Sequence, residues 1–318
     1  MTIAKHECLP ARWGPTSDRR MTACLLCTGP LGDEAFPYST LWQGEVYRYL
    51  ACRACGSSTL NPLPTADALA AMYARDEYHS EFYDDIDTEV SETQLSKAIP
   101  YLRTGRLLDF GCGNGSFLRI AGAAGFTPTG IELDPQAQIV AAQQSGHPVR
   151  SFDDVAGSGD KFAVIHLGDV LEHLPCPAQT MRLLEALLED DGCFFIEGPL
   201  EANASLVRSA GTWFGATKRL AGLSRLGTFP PYHLFQTNMR AQKAFFTDRL
   251  GYRLLAFETY ETGWPYRTSI RPRSAGSWVK HFIGSASILA SGLNSLAGLA
   301  LGNRFYAVLR PGASKSAS

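Results

Sequence analysis

The segment LLDFGCGNGSF, residues 107–117, constrains the fold of this chain more than any other stretch. An apolar run ends at Asp109, and glycines follow at positions 111, 113 and 115. Glycine tolerates positive φ angles and lets the main chain approach a ligand closely. A helical pattern begins directly afterwards, so the unpaired N–H groups of its first turn would face that ligand. The segment therefore predicts a buried strand, a ligand-binding turn and a helix.

From this turn onwards, strand patterns and helix patterns alternate along the chain. FAVIHLG (162–168) and CFFIEGP (193–199) are apolar runs typical of buried strands. Between the earlier strands, one helical pattern opens on Asp134 and stops at Gly146, which are residue types that helix termini prefer. The alternation predicts an α/β fold with a doubly wound, mainly parallel sheet.

Two acidic residues distinguish the glycine turn from a dinucleotide-binding site. In the dinucleotide fingerprint G-x-G-x-x-G, the third glycine stands one position later than it does here. Asp109 would also repel a pyrophosphate, whereas a carboxylate at this position can hold water or the ammonium group of an amino acid. Glu132, at the predicted end of the next strand, can accept hydrogen bonds from both hydroxyls of a ribose. The pattern favours a ligand with a ribose and an amino-acid part.

The motifs DFGCGNG and DVLEHL, with Glu132 between them, resemble those of class I S-adenosylmethionine-dependent methyltransferases over residues 105–260. DVLEHL is written this way in many members of the UbiE/UbiG-like branch. The resemblance implies a seven-stranded sheet, S-adenosylmethionine as cofactor and methyl transfer as the reaction. It further implies that the methionine part of the cofactor is cradled by Asp109, Gly111, Cys112 and Gly113, that Glu132 binds the ribose, and that Gly168 and Asp169 face the cofactor.

Methyl transfer to a hydroxyl is aided by a residue that removes the proton, and two histidines are candidates for this general base. His173 lies in LEHL, just after the fourth strand. His233 lies in PPYHLFQT, which resembles the PxHLxxFT element that borders the acceptor pocket in this branch. Either histidine can instead make a structural hydrogen bond that fixes its loop. The sequence therefore leaves the identity of the base open.

Four of the eight cysteines form two CxxC pairs, Cys24 with Cys27 and Cys52 with Cys55. Two such pairs can supply four thiolates to one tetrahedral Zn²⁺. No export signal is evident at the start of the sequence, so we expect a cytoplasmic protein, in which paired cysteines bind metal more often than they form disulfides. Redox-active cysteines or cysteines without a ligand are the alternatives. The pattern predicts a small zinc-ribbon-like module with a structural zinc ion.

The predicted elements divide the chain into four parts and two insertions. Pro62 and Pro64 mark a connector after the cysteine module, and Thr65 or Asp67 can cap the helix that follows. The four parts are a disordered tail (1–20), the zinc-ribbon-like module (21–60), a helical connector (61–104) and a domain that binds S-adenosylmethionine (105–318), with a lid insertion (200–236) and an apolar insertion (260–303).

The apolar insertion contains an uncharged stretch at residues 282–301. Phe282, Ala286, Leu289, Leu293 and Leu296 recur there at helical spacing. We expect an amphipathic helix that packs on the domain. The alternatives are a helix that lies on a membrane surface and a membrane span, although the serines and glycines of the stretch dilute its hydrophobicity.

A cysteine module in front of such a domain resembles bacterial methyltransferases of sugar and polysaccharide pathways. The resemblance implies O-methylation of a sugar, glycan or secondary-metabolite hydroxyl on a small molecule. The basic and aromatic residues of the lid, together with residues 282–301, allow a phosphorylated or lipid-linked glycan at the surface of the inner membrane as acceptor, and the alternative is a lid helix packed by its apolar face. The UbiG-like motif leaves a small aromatic or quinone-like acceptor open. An RNA methyltransferase is disfavoured, because the net charge is −2 and RNA-binding domains are usually basic. The intact glycine turn disfavours a non-catalytic binding protein.

Overall fold

Two β-sheets organise the part of the chain described by the structure, a computed structural model that covers residues 19–72, 88–222, 226–262, 278, 281–289 and 301–312. Their strands are β1 (Leu31–Trp42), β2 (Glu45–Cys52), β3 (Ser58–Asn61), β4 (Arg106–Phe110), β5 (Thr127–Ile131), β6 (Val149–Arg150), β7 (Phe162–Gly168), β8 (Leu188–Pro199), β9 (Phe235–Gln236), β10 (Arg253–Tyr260) and β11 (Arg304–Arg310).

The helices lie mainly in the connections between these strands. They are α1 (Ala66–Met72), α2 (Thr88–Ala98), α3 (Ser116–Ala123), α4 (Pro135–Ser145), α5 (Phe152–Gly157), α6 (Pro177–Glu185), α7 (Leu206–Leu220) and α8 (Met239–Ala244), which continues into the π-helical turn Phe245–Arg249. A short 3-10 turn, Leu171–His173, follows β7.

The larger sheet confirms the predicted fold class. Within the described residues it has seven strands in the order β10-β11-β8-β7-β4-β5-β6. The pairs β4–β5, β4–β7, β5–β6 and β7–β8 are parallel, whereas β11 runs antiparallel to both of its neighbours. Strand β7 is buried along almost its whole length, as expected for a parallel strand covered on both faces. The sheet is therefore doubly wound and mainly parallel.

Helix termini follow the capping residues that the sequence predicts. The Asp134 carboxylate accepts a hydrogen bond from the N–H of Ala137 (2.9 Å), and Gly146 ends α4 with a φ of 73°. At α1, the hydroxyl of Thr65 accepts from the N–H of Ala68 (3.0 Å), so Thr65 is the cap. Such caps satisfy N–H groups that have no partner within the helix.

The smaller sheet joins the cysteine module to the segment that follows α7. Its order is β1-β2-β3-β9, and β9 belongs to the predicted lid insertion. In the β3–β9 pair, Thr59 lies opposite Phe235. We call residues 227–238 the strap, because the module contacts this segment along much of its length. The hydroxyl of Tyr49, on β2, donates a hydrogen bond to the carbonyl of His233 in the strap (2.6 Å).

Further contacts fix the module against the α/β half. The side chain of Asn238 donates to the carbonyl of Cys55 (3.0 Å), and the guanidinium of Arg249 donates to the carbonyl of Leu26 (2.7 Å). A single cluster of buried apolar residues runs from the module into the larger sheet. The division of the chain into parts with the predicted boundaries stays a prediction, and residues 1–18 of the predicted tail lie outside the described residues.

The predicted packing of the apolar insertion is wrong for two residues of its stripe. Residues 281–289 are helical, yet the exposed fractions of Phe282 and Leu289 are 73% and 71%. Ser287 is buried instead, at 2% exposure, so a small polar residue faces the protein. Leu293 and Leu296 lie outside the described residues. Among the residues that the structure describes, no helix has the length and apolar character needed to cross a bilayer.

The hydrogen bond from Tyr49 to His233 generates a prediction about the strap. Tyr49→Phe removes this donor and leaves the His233 carbonyl without it, which costs about 1 kcal/mol of local stability. We expect faster backbone hydrogen exchange across residues 232–236, measured by mass spectrometry. Tyr47→Phe on the same strand is the matched control, because the Tyr47 hydroxyl donates to Glu45 instead (2.9 Å). Equal exchange at 232–236 in both variants would contradict the prediction.

Candidate functional site

The turn between β4 and α3 depends on glycine at its first and last glycine positions. Gly111 and Gly115 have φ angles of 80° and 81°. A Cβ at Gly111 would lie 2.7 Å from the side chain of Val170, and one at Gly115 would lie 2.8 Å from the carbonyl of Ala141. These positions therefore exclude side chains both by backbone conformation and by close packing. Gly113, between them, also has a positive φ of 54°.

Glu132 lies directly after β5, beside this turn. Its carboxylate accepts hydrogen bonds from the N–H of Gly113 (3.0 Å) and from the N–H of Leu133 (2.7 Å). Burial raises the pKa of Glu132 above its usual value, although the residue keeps part of its surface exposed. Because β4 and β5 are parallel neighbours, their carboxyl ends bring the turn and the carboxylate to one edge of the sheet.

Cys112 fills space beneath the turn. It is buried, and a Cβ added to Gly130 on β5 would lie 2.6 Å from its sulfur. Burial raises the pKa of the thiol far above its usual range, with a further contribution from the nearby carboxylate of Asp109. The side chain is therefore a packing element held as a neutral thiol.

Asp109 takes part in a buried network that the sequence analysis missed. His166 of β7 donates through Nδ1 to Asp109 (2.7 Å), and its Nε2 lies 3.3 Å from a carboxylate oxygen of Glu197 on β8. The exposed fractions of the three residues are 2%, 3% and 6% for Asp109, His166 and Glu197. The signal available in the sequence was a histidine inside the apolar run FAVIHLG.

The two carboxylates keep the His166 ring positively charged. Burial by itself lowers the pKa of a histidine, but the charges and hydrogen bonds of Asp109 and Glu197 outweigh it and raise the pKa of His166 to about 9. The ring also stacks on Phe117 of α3, with centroids 3.6 Å apart. A cation thus lies between two carboxylates on neighbouring strands, close to the glycine turn.

The structure places Gly168 and Asp169 at the carboxyl end of β7. A Cβ at Gly168 would lie 2.8 Å from the His166 ring, so the glycine packs directly over the imidazole. Asp169 has a positive φ of 53°. Its two carboxylate oxygens accept from the guanidinium of Arg304 (2.6 and 2.7 Å), and Arg304 also donates to the hydroxyl of Tyr260 (3.3 Å). The carboxylate of Asp169 is thereby tied to β11.

The two candidate bases come together around Glu172. The rings of His173 and His233 are edge to face, with centroids 4.9 Å apart. The Oε1 atom of Glu172 lies 3.8 Å from Nε2 of His173 and 4.0 Å from Nε2 of His233. Glu172 is buried, and among the described residues this oxygen has no hydrogen-bond partner. The three side chains form one cluster at the junction of the β7 loop and the strap.

The histidines of this cluster differ in their hydrogen bonds and in their charge. Nδ1 of His173 donates to the carbonyl of Tyr232 (2.9 Å). Burial and the positive charge of the nearby His233 lower the pKa of His173 to about 3. Nδ1 of His233 lies 2.9 Å from a carboxylate oxygen of Glu201. Burial lowers the pKa of His233, but the charges of Glu201, Glu172 and Asp169 outweigh this effect and raise the pKa to about 9. Burial and the charge of Asp169 raise the pKa of Glu172 to about 8.

This cluster is suited to proton transfer. Glu201 fixes Nδ1 of His233, so Nε2 is the nitrogen that releases and takes up a proton as the pH approaches the pKa of about 9. The ligand atoms of Glu172, His173 and His233 also lie within 4.8 Å of one another, so the same group can hold a divalent cation.

The four predicted metal ligands of the cysteine module meet at one point. The sulfurs of Cys24 and Cys55 are 3.8 Å apart, those of Cys27 and Cys52 are 3.4 Å apart, and all four lie within 4.8 Å of one another. A tetrahedral zinc ion with Zn–S bonds of about 2.3 Å requires sulfur separations of about 3.8 Å. The cysteine cluster therefore fits zinc.

Comparison with known proteins bears on the α/β half. Residues 80–228, just under half of the chain, match a family model described as a methyltransferase domain. The matched segment contains the glycine turn, Glu132 and the loop after β7. The matched segment is thus similar to a methyltransferase domain, and the order of the larger sheet agrees with the doubly wound, mainly parallel fold class.

Curated relatives match a similar stretch. The chain is 31% identical over 102 residues to a ubiquinone biosynthesis O-methyltransferase of Actinobacillus pleuropneumoniae serotype 5b (strain L20), which covers 28% of this chain and 44% of the relative. It is 34% identical over 98 residues to the protein of that name from Aromatoleum aromaticum, covering 28% and 42%. The chain thus spans less than half the length of the curated relatives it matches.

Solved structures to which the chain is similar include a methyltransferase from Archaeoglobus fulgidus. The TM-score is 0.45 at 19% identity, with 71% of this chain and 95% of that chain covered. The plantazolicin methyltransferase BpumL, in complex with S-adenosylhomocysteine, gives a TM-score of 0.46 at 15% identity, with 77% and 93% covered.

The charge of His166 generates a prediction about pH. Its pKa of about 9 in the folded chain lies above the ordinary value of 6.5, so its contribution to stability is complete below pH 6.5 and is lost as the pH rises through about 9. We expect the difference in unfolding free energy between wild type and His166→Gln to shrink between pH 6.5 and about 9.5, measured with urea. His147→Gln is the control. An unchanged difference would contradict the prediction.

Proposed function

We propose that this chain, whose α/β half has the class I methyltransferase fold, is an S-adenosylmethionine-dependent methyltransferase that O-methylates a sugar or glycan hydroxyl. The observation that carries the proposal is the glycine turn with the Glu132 carboxylate at its edge. The N–H of Gly113 already donates to this carboxylate (3.0 Å), so backbone donors and a ribose-binding acid converge at one point. The bound cofactor supplies a methyl group that a sulfonium centre has already activated.

In this proposal, each residue around the turn binds a different part of the cofactor. Glu132 accepts hydrogen bonds from the two ribose hydroxyls. The turn at Gly111–Gly113 admits the methionine part because no side chain intervenes, while Cys112 packs beneath it. Asp109 provides a negative charge for the ammonium group. Gly168 and Asp169 form the opposite wall at the end of β7.

His233 is proposed as the general base in its neutral form, which gains population as the pH rises towards its pKa of about 9. His173 fixes the backbone next to it through the hydrogen bond to the carbonyl of Tyr232. Glu201 orients His233 through Nδ1. The Nε2 atom of His233 lies 4.0 Å from Oε1 of Glu172, which has no hydrogen-bond partner among the described residues. Removing the acceptor proton in this way contributes about 10²–10⁴-fold in rate. Alignment of acceptor and donor contributes roughly 7–11 kcal/mol to lowering the barrier.

Exposed apolar residues on the lid helix and in the apolar insertion support an acceptor with an apolar part. The exposed fractions of Trp213 and Leu220, on α7, are 72% and 89%, and Phe282 and Leu289 are comparably exposed. A lipid-linked glycan at the inner face of a membrane, reached by a cytoplasmic protein that touches the bilayer peripherally, offers a partner for such residues. Isolated exposed apolar residues are common on protein surfaces, so the lipid-linked form extends the proposal and does not carry it.

A second candidate acceptor is a small aromatic or quinone-like hydroxyl. The observation that favours it is the similarity to proteins named ubiquinone biosynthesis O-methyltransferase. Transfer of labelled methyl groups to nucleotide sugars, lipid-linked glycans, catechols and tRNA distinguishes the acceptor classes. Labelling of catechols alone would replace the sugar proposal, and labelling of tRNA would overturn the assignment of a small or glycan acceptor.

The cofactor assignment predicts the effect of one substitution. Glu132→Gln removes the charge from the acceptor of the ribose hydrogen bonds, which are worth about 1.5–3 kcal/mol each with a charged partner. We expect the affinity for S-adenosylhomocysteine, measured by calorimetry, to fall at least about 10-fold. Glu258→Gln is the control, because this carboxylate lies on β10 and pairs with Lys97. Absence of binding to the wild-type protein would overturn the assignment.

We further propose that the cysteine module holds a structural Zn²⁺ through Cys24, Cys27, Cys52 and Cys55. The purified chain is expected to contain about one zinc ion per molecule by elemental analysis, because four thiolates complete a tetrahedral site. Cys52→Ser should lose the metal and lower the melting temperature. Cys193→Ala, which changes a buried cysteine of β8 outside the cluster, should retain it. Wild-type protein without zinc would contradict this part.

A further inference from the structure

The Asp109–His166–Glu197 network forms a charged row across three neighbouring strands. Asp109 of β4 lies opposite His166 of β7 in the strand register, and Glu197 of β8 lies opposite Gly168, two residues further along β7. All three side chains are buried. The row crosses the sheet just below the edge at which the glycine turn begins.

Electrostatics explain why a histidine is placed here. Two buried carboxylates that share a site repel each other, and without a cation one of them takes up a proton. His166 lies between both acidic side chains, so the row has one more acidic group than basic groups. A buried net charge is unfavourable unless it is paired, so the row is complementary to one additional cation.

The surroundings of the row indicate where that cation binds. Asp109 lies two residues before Gly111 in the sequence, and Gly168 packs directly over the His166 ring. The ring of Phe117, at the start of the helix after the glycine turn, stacks on the His166 ring with the two centroids 3.6 Å apart. The imidazole thus packs against Gly168, at the end of β7, and against Phe117, at the start of α3, and both residues border the proposed cofactor site.

We propose that His166 is a positioning residue for the amino-acid end of the cofactor. It fixes the Asp109 carboxylate in one orientation through the 2.7 Å hydrogen bond, so that Asp109 holds the ammonium group of S-adenosylmethionine or S-adenosylhomocysteine. His166 acts through Asp109 and does not contact the cofactor itself. This inference rests on the proposed function.

The test compares two ligands that differ in the amino-acid part. S-adenosylhomocysteine carries the ammonium group, whereas 5′-methylthioadenosine keeps the adenosine and the sulfur and lacks it. His166→Gln is expected to lower the affinity for S-adenosylhomocysteine, measured by calorimetry, about 10-fold or more, in line with the loss of a charge-assisted hydrogen bond. The affinity for 5′-methylthioadenosine should change less than about 2-fold. An equal loss for both ligands would mean a general structural role and would overturn the proposal.

A double-variant cycle separates positioning from direct contact. Asp109→Asn should reproduce the ligand-selective loss, and the double variant Asp109→Asn/His166→Gln should lose little more than Asp109→Asn alone, because His166 acts through Asp109. Additive losses would overturn the proposal. Phe195→Leu controls for packing, since this residue contacts the His166 ring (centroids 5.0 Å apart) without charge, and it should not discriminate between the ligands.

A measurement on the wild-type protein covers the case in which His166→Gln does not fold. In a nitrogen-15 NMR spectrum, S-adenosylhomocysteine should shift the ring signals of His166, whereas 5′-methylthioadenosine should leave them nearly unchanged. Equal shifts would overturn the proposal. If the wild-type protein binds neither ligand, the proposed function fails; if it binds both and the His166 variant keeps the wild-type selectivity, only this inference fails.

Discussion

The parallel pairing of β4 with β5 and β7 is the constraint on which the whole candidate site depends. Parallel strands end at the same edge, so the glycine turn, Glu132 and the loop after β7 meet there although they are far apart in the sequence. The same pairing brings Asp109 beside His166. One geometric property of the sheet thus creates both the surface that a ligand reaches and the charged layer beneath it.

The strap connects this edge with the cysteine module. On one side it pairs with β3 and accepts the Tyr49 hydrogen bond; on the other, the carbonyl of Glu172 accepts from the N–H of Leu234 (2.8 Å). His233 lies between these contacts, which hold its backbone from both sides. The cysteine module therefore has a structural connection to the acceptor side of the proposed site, through backbone contacts that do not involve the glycine turn.

Local patterns in the sequence predicted the strands, the caps at Thr65 and Asp134, and the cysteine pairs, because short-range signals determine each of them. The charged row was missed, since its hydrogen bonds join residues 57 and 31 positions apart and depend on strand order. Strand β9 has only two residues and shows no pattern of its own. The exposure of Phe282 was also missed, because helical spacing identifies an apolar face without identifying what covers it.

The ends of the lid are anchored by backbone contacts that lie outside its helix. Before α7, the N–H of Ala202 donates to the carbonyl of Thr237 (2.8 Å), and after it, Gly227 pairs with β1. The intervening stretch makes neither the Glu201–His233 pair nor the Tyr49 contact. Insertions between fixed ends cost little free energy, so this stretch can change in length while the Glu201–His233 pair stays in place. Under the proposed function, the lid is an interchangeable part, whose exchange would alter the choice of acceptor without rebuilding the His233 cluster.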